Sequence, residues 1–192
     1  MLYSLIVSAC WLVFVIFWAV SAVGVKRDID RSSWQQFWLL RIIIIVAVIN
    51  AIAYSNFARN LNYRFNAFST FSQETQLAAL GALLCVIGIG LAIWARVHIG
   101  RNWSGVPSIK EGHELVTSGP YRLIRHPIYT GMILALLGSA FATSAWWLVA
   151  FFIVTAMFIW RVRVEESLMT KQFPEQYSEY KKRTWALVPY IW

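Results

Sequence analysis

The chain has 192 residues, of which 59% are hydrophobic and 14% are charged, and its mean hydropathy is +0.57. This composition is far more apolar than that of a soluble domain, so it excludes an ordinary cytoplasmic fold. In such a chain the net charge of +8 favours anionic lipid headgroups as the partner and makes nucleic acid improbable.

Hydrophobic runs predict an all-α integral membrane protein with five transmembrane helices. The first run, 2–25, contains no charged residue and is long enough to cross a hydrocarbon core of about 30 Å. It favours a retained anchor over a cleaved signal peptide, because no basic residue precedes it and no small-residue cleavage site follows. The predicted spans are 2–25, 37–57, 77–97, 128–141 and 145–160. No repeat or linker divides the chain, so we expect one domain over 1–192.

The fourth and fifth spans are predicted to form a tight antiparallel hairpin. Only the uncharged turn 142–144 separates them. Gly131, Ala135 and Ser139 recur every four residues along the fourth span. Such a stripe of small side chains allows another helix to approach closely, and it is more often packing than function.

The distribution of basic residues predicts the orientation in the membrane. With five spans, 15 of the 17 Lys and Arg residues fall on one side, and only Arg59 and Arg64 on the other. The positive-inside rule then places the N-terminus outside, and the 98–127 loop and the 161–192 tail in the cytosol. The membrane would be the plasma or inner membrane of a prokaryote, or the endoplasmic reticulum of a eukaryote.

Several kinds of chemistry have no signal in this sequence. Cys10 and Cys85 both lie in predicted spans, where they are expected to be buried hydrophobic residues rather than a disulfide. The three histidines form no zinc-binding pattern with Cys or Glu, so no metal is expected. A glycine-rich phosphate loop is also lacking, which excludes a soluble-type nucleotide fold.

A first polar patch precedes the fourth span, where residues 119–129 read GPYRLIRHPIY. Pro127 favours the first turn of a helix, which places Arg125 and His126 beside the free amides of its N-terminus. An anionic group binds well at such a place, and Tyr129 adds a phenol. Alternatively, Arg125 and Tyr129 only anchor the helix to headgroups.

A second polar patch follows the fifth span. Arg161 and Glu165 are four residues apart, on one face of a helix, and Glu166 is adjacent. This patch by itself is also explained by a snorkelling arginine with a solvated salt bridge. Because the turn between the two spans is short, we expect both patches to lie together and form one pocket.

These motifs resemble the isoprenylcysteine carboxyl methyltransferase family over about residues 100–190. The resemblance rests on LVTSGPY at 115–121, RHPIY at 125–129, and Arg161 with the pair Glu165 and Glu166, in that order and spacing. The chain departs from the family at Pro174, where a glycine is usual.

The resemblance implies a multi-span enzyme that takes S-adenosylmethionine from the cytosol and methylates a lipophilic acceptor from the bilayer. The acceptor would be the carboxyl group of an isoprenylcysteine or a related isoprenoid acid, bound by the catalytic Arg161. Arg125 and Glu166 would complete the catalytic set by orienting these groups. The cofactor pocket would be built from the 98–127 loop and the C-terminal tail. The implied cofactor-binding residues are His113, Glu114, Leu115, Val116, Tyr121, His126, Pro127, Ile128, Tyr129 and Glu165.

Other functions stay open at this point. A phospholipid amine or a small thiol is an alternative acceptor, and either would want a base such as Glu165, Glu166 or His126. A sterol-type reductase using NADPH shares the general layout but is expected to have more spans. A scaffold or small transporter would leave the clustered polar residues unexplained.

The tail is predicted to cover the bound cofactor as a lid. Beyond Glu166 we expect the helix to run on, break at Pro174 and resume as a short helix with Tyr177 and Tyr180 on nearly one face. Trp185 and Trp192 should return to the headgroup layer.

Overall fold

The computed structural model describes residues 2–21, 75–103 and 115–189. Within these ranges every regular element is helical, and the only β-pairing is an isolated bridge between Ile124 and Trp185. The predicted all-α class is therefore confirmed for this part of the chain. The elements are α1 (Leu2–Ser21), α2 (Thr75–Ile99), α3 (Pro127–Ala142), α4 (Trp146–Gln172) and α5 (Pro174–Lys182), with short 3-10 turns at Gly100–Asn102 and Gly119–Arg122.

Three of these helices, α1, α2 and α4, are long and apolar enough to cross a membrane. Helix α3 is apolar but shorter, with 16 residues. The predicted second span, 37–57, lies outside the described residues. The count of five spans therefore stays a prediction.

The hairpin forms where the sequence predicts it, as α3 and α4. Pro127 occupies the first turn of α3, where its missing N–H costs nothing. Helix α4 continues past the predicted span limit at 160 and ends at Gln172. The expected break follows, because Pro174 cannot continue that helix and instead opens α5.

Helices α2 and α3 pack with almost no side chains between their backbones. A Cβ placed on Gly88 of α2 would lie 2.5 Å from the carbonyl oxygen of Gly131 on α3. Ala135 and Ser139, on the same stripe as Gly131, are fully buried. The small-residue stripe predicted in the fourth span is thus the contact with α2.

Replacing Gly88 with Ala is expected to destabilise the protein by about 1–3 kcal/mol, because the two backbones must separate to admit a methyl group. Gly90 provides the matched control, since a Cβ there meets nothing within 4 Å. Thermal unfolding in detergent should show a clearly lower melting temperature for Gly88→Ala and no decrease for Gly90→Ala. Equal melting temperatures for the two variants would contradict this account of the packing.

Helix α1 docks onto the hairpin through its tryptophans. The Trp11 indole Nε1 donates to Ser139 Oγ over 3.0 Å, and its ring stacks on Trp147 of α4 at 5.5 Å. Phe14 and Trp18 extend this buried face toward the C-terminal end of α1, with ring centroids 4.4 Å apart. Spacings of three and four residues place these side chains on one helix face.

Candidate active site

The two predicted polar patches lie together at one end of the α3–α4 hairpin. The first turn of α3 faces the charged turn of α4, because the short 143–145 connection holds the helices antiparallel. We refer to the side chains that meet here as the polar cluster. Its members are Arg125, His126, Tyr129, Arg161, Glu165 and Glu166. The expectation that both patches lie together is confirmed by these contacts, while a pocket formed by them stays a prediction.

Tyr129 is at the centre of the cluster. Its hydroxyl donates to Glu165 Oε1 over 2.6 Å, while Arg161 Nε donates to the Tyr129 oxygen over 2.6 Å and to Glu165 Oε1 over 2.7 Å. The tyrosine ring lies between the rings of His126, at 5.6 Å, and Phe158, at 4.4 Å, with all three nearly parallel. Arg161 is only 7% exposed. Its carboxylate and phenol partners therefore hold a buried guanidinium in one orientation.

Arg125 and Glu166 form a second ion pair that ties the cluster to the tail. Arg125 Nε donates to Glu166 Oε1 over 2.7 Å, and Lys181 Nζ lies 2.7 Å from Glu166 Oε2. Arg125 Nη1 also donates to the carbonyl oxygen of Thr184 and, over 3.2 Å, to its hydroxyl. A single arginine thus joins α4, the start of α3 and the C-terminal tail.

The last described part of the C-terminal tail, residues 183–189, runs alongside the segment that leads into α3. The backbone N–H groups of Arg125 and His126 donate to the carbonyls of Trp185, over 2.8 Å, and Ala186, over 3.1 Å. Thr130 Oγ1 donates to the Leu187 carbonyl over 2.7 Å. These hydrogen bonds hold the tail against the polar cluster. That the tail covers a bound cofactor stays a prediction.

His126 is buried between the two glutamates. Burial lowers its pKa, but the carboxylates of Glu165 and Glu166 raise it by more, so the net pKa lies above the usual 6.5. Its Nδ1 lies 3.4 Å from Glu165 Oε2, and its Nε2 lies 3.6 Å from Glu166 Oε1. The second distance is too long for a hydrogen bond, and Nε2 has no other such partner among the described residues. The attraction between Nε2 and Glu166 is therefore one of charge without a hydrogen bond.

The raised pKa of His126 predicts a pH-dependent stability. The protonated imidazole stabilises the fold fully below its usual pKa of about 6.5, and this contribution is lost as pH rises through the higher folded-state pKa. We expect the melting temperature in detergent to fall as the pH rises from about 6.5 to the folded-state pKa of His126. The His126→Gln variant should lack this decrease. An unchanged pH profile in the variant would contradict the assignment.

The remaining predicted site residues lie beside the cluster. Pro127 and Ile128 are buried in the first turn of α3. Tyr121 is buried against α2, where its hydroxyl donates to the Ala95 carbonyl over 3.4 Å, and its own carbonyl accepts from the Tyr180 hydroxyl over 2.6 Å. Burial raises the pKa of Tyr121, and that of Tyr180 to about 12, so both phenols are donors at neutral pH.

The predicted cofactor residues before Tyr121 are only partly described. Leu115 and Val116 are half-buried, and Val116 packs against the edge of the core. His113 and Glu114 lie outside the described residues.

Sequence analysis gave no role to three side chains that contact the polar cluster. Phe158 stacks on Tyr129, and its spacing of three residues from Arg161 could have revealed a shared helix face. Lys181 and Thr184 bind Glu166 and Arg125, respectively. No local pattern marks these two, since their contacts require the tail to fold back on the hairpin.

A family model described as phospholipid methyltransferase matches residues 77–176. This stretch exceeds half of the chain and contains every member of the polar cluster. The chain belongs to the phospholipid methyltransferase family. It is accordingly a methyltransferase, as the motifs indicate.

Named relatives support this membership. The protein-S-isoprenylcysteine O-methyltransferase of Mus musculus is 29% identical in a match that covers 98% of this chain and 76% of the mouse protein. The cobalt-zinc-cadmium resistance protein CzcN of Cupriavidus metallidurans is 32% identical, covering 60% of this chain and 52% of that protein. The resemblance to the isoprenylcysteine carboxyl methyltransferases is thus confirmed.

A solved structure agrees in fold. It is a eukaryotic intramembrane Ras methyltransferase, isoprenylcysteine carboxyl methyltransferase, with a TM-score of 0.61 and 23% identity. The match covers 85% of this methyltransferase, which corresponds to 55% of the solved chain. At this level of identity the likeness concerns the fold.

Proposed function

We propose that this methyltransferase uses S-adenosylmethionine to methylate a carboxylate on a lipophilic acceptor, most like an isoprenylcysteine or a related isoprenoid acid. The observation that carries the proposal is the buried Arg161, held by Tyr129 and Glu165 at the charged end of a membrane hairpin. A buried guanidinium at this position is suited to binding a carboxylate.

The polar cluster fits the amino-acid end of the cofactor, which carries an ammonium and a carboxylate. Glu165 and Glu166 match the ammonium in charge. The buried Nε2 of His126, which has no hydrogen-bond partner among the described residues, is a donor for the carboxylate. When bound, S-adenosylmethionine supplies a methyl group on a positively charged sulfur. The protein residues then have to align the acceptor with that methyl group and exclude water.

The charges of the cluster favour an acceptor that is already anionic. Arg125 and Arg161 balance the two carboxylates, and Lys181 beside the cluster adds a third cation, so the cluster together with Lys181 has a net positive charge. Both carboxylates are paired with these cations, which makes them poor bases. A carboxylate acceptor needs no base, whereas a protonated amine or a thiol does.

The depth of the polar cluster relative to the membrane favours a lipid-borne acceptor. From Trp146, the start of α4, to Arg161 the helix rises roughly 22 Å, which is less than a hydrocarbon core of about 30 Å. Trp160, directly before Arg161, is 67% exposed, as expected for an aromatic residue at a lipid interface. An acceptor could therefore keep its apolar chain in the bilayer while its carboxylate reaches Arg161.

The proposed location is a multi-pass membrane protein with the polar cluster on the cytosolic face and the N-terminus outside. The bias of Lys and Arg toward the cluster side supports this orientation. A cytosolic cluster also gives the water-soluble cofactor direct access.

Methylation of a phospholipid amine is a second candidate, favoured by the description of the family model. The purified protein in nanodiscs should be given radiolabelled S-adenosylmethionine with a prenylated cysteine, phosphatidylethanolamine or a small thiol in parallel. We expect the label in the prenylated cysteine as a base-labile methyl ester. Label in phosphatidylethanolamine alone would establish the second candidate. Binding of NADPH, and not of S-adenosylhomocysteine, in titration calorimetry would overturn both.

A further inference from the structure

Tyr129 is one of the residues that the family resemblance implies for the cofactor, but its hydroxyl is engaged within the protein. A phenol has one proton to donate, and that of Tyr129 goes to Glu165 Oε1 over 2.6 Å. The Tyr129 oxygen also accepts from Arg161 Nε over 2.6 Å. The hydroxyl therefore has no further proton for the carboxylate of a cofactor.

The ring of Tyr129 is engaged as well. It stacks on Phe158, with centroids 4.4 Å apart and an interplanar angle of 10°, and it lies parallel to His126 at 5.6 Å. Phe158 is completely buried, and Tyr129 is only 7% exposed. A ring that is packed in this way has little surface to offer to the adenine of a cofactor.

The contact between Tyr129 and Arg161 crosses the hairpin. Arg161 and Glu165 both belong to α4, so their ion pair by itself ties the guanidinium only to its own helix. Tyr129 belongs to the first turn of α3 and contacts both partners. An arginine side chain has many rotamers, and holding it in one before a ligand arrives lowers the cost of binding. Tyr129 thus sets the direction of Arg161 relative to α3.

We propose that Tyr129 is a positioning residue that orients Arg161 for the carboxylate of the acceptor, and that it does not bind the cofactor. Its hydroxyl acts on the acceptor only through the guanidinium. The ring of Phe158 supports it from α4. This inference rests on the proposed function in naming the acceptor and the cofactor, and it moves Tyr129 from one to the other.

The proposal predicts that acceptor use and cofactor binding separate in Tyr129→Phe. This variant keeps the ring and removes one hydrogen bond to a charged group, so kcat/KM for a prenylated cysteine should fall about tenfold. Glu165 still pairs with Arg161, which is why the loss should be smaller than in a variant without the guanidinium. The Kd for S-adenosylhomocysteine should stay within about twofold of the wild-type value.

The test compares Tyr129→Phe with Tyr3→Phe, which removes a phenol hydroxyl from the half-buried first turn of α1. The measurements are kcat/KM in nanodiscs, the Kd for S-adenosylhomocysteine, and water exchange of the Arg161 Nε–H by ¹⁵N NMR in detergent. The loss of one signal in Arg161→Lys assigns that proton. Tyr129→Phe should lower kcat/KM and speed the exchange, and Tyr3→Phe should change neither. A Kd raised tenfold or more in Tyr129→Phe, or wild-type kcat/KM and exchange, would overturn the proposal.

A second variant covers the case in which Tyr129→Phe does not fold. Phe158→Leu keeps the hydroxyl of Tyr129 and removes the ring stacked on it. It should lower kcat/KM and speed Arg161 Nε–H exchange with an unchanged Kd, and wild-type values of the first two would overturn the proposal.

Failure of the proposed function would be visible separately in the wild-type protein. Without S-adenosylhomocysteine binding the proposed cofactor is wrong, and without methylation of the prenylated cysteine the proposed acceptor is wrong. In either case the exchange of the Arg161 Nε–H still shows whether Tyr129 holds the guanidinium, and unchanged exchange in Tyr129→Phe would overturn that role.

Discussion

Replacing Arg161 with Ala should lower kcat for methyl transfer by about 100- to 1,000-fold, while the affinity for S-adenosylhomocysteine stays within about tenfold. The guanidinium is buried and fixed by Tyr129 and Glu165, so its loss removes the proposed partner of the acceptor carboxylate. The two effects should separate because we propose that the cofactor binds to other residues, such as Tyr121 and His126. Single-turnover rates with a prenylated cysteine and calorimetric titration of the cofactor measure the two quantities.

Two further variants sharpen this test. Arg161→Lys keeps a positive charge but loses the planar fork, so it should recover only part of the lost rate. His126→Gln should show the opposite pattern, with weaker cofactor binding and a smaller change in kcat. Equal losses of turnover and cofactor affinity in Arg161→Ala would contradict the assigned roles.

Replacing Arg125 with Met should destabilise the protein by about 3 kcal/mol. The pair with Glu166 is largely buried, with side-chain exposures of 9% and 12%, and removing one partner of such a pair leaves a buried charge short of a cation. The tail also loses the bonds from Arg125 to Thr184. Denaturant unfolding in detergent should show the loss, and hydrogen exchange of 184–187 should become faster.

The matched control for Arg125→Met is Lys182→Met. Lys182 also pairs with a glutamate, Glu179, over 2.5 Å, but the two side chains are 72% and 68% exposed. Water screens such a pair, so the free energy of unfolding of Lys182→Met should be almost the same as that of the wild type. If both variants lost a similar free energy of unfolding, burial would not explain why the Arg125–Glu166 pair stabilises the protein.

Patterns that involve only neighbouring residues were readable from the sequence. The uncharged runs predict α1, α2 and the α3–α4 hairpin, because burying about 20 apolar residues in a bilayer depends on length and composition alone. Pro127 and Pro174 predict where helices begin, since a proline ring acts within one turn. The order of the RHPIY and Arg161 to Glu166 motifs was enough to predict a shared site and a family.

Only the tertiary structure decided which groups meet within that site. The Tyr129 hydroxyl bonds both Arg161 and Glu165 only because α3 packs against α4. Lys181 completes the pairing of Glu166 only because the tail folds back. Such contacts depend on packing between segments far apart in the chain. The same holds for Arg96, whose burial between α1 and Trp103 exists only in the folded bundle.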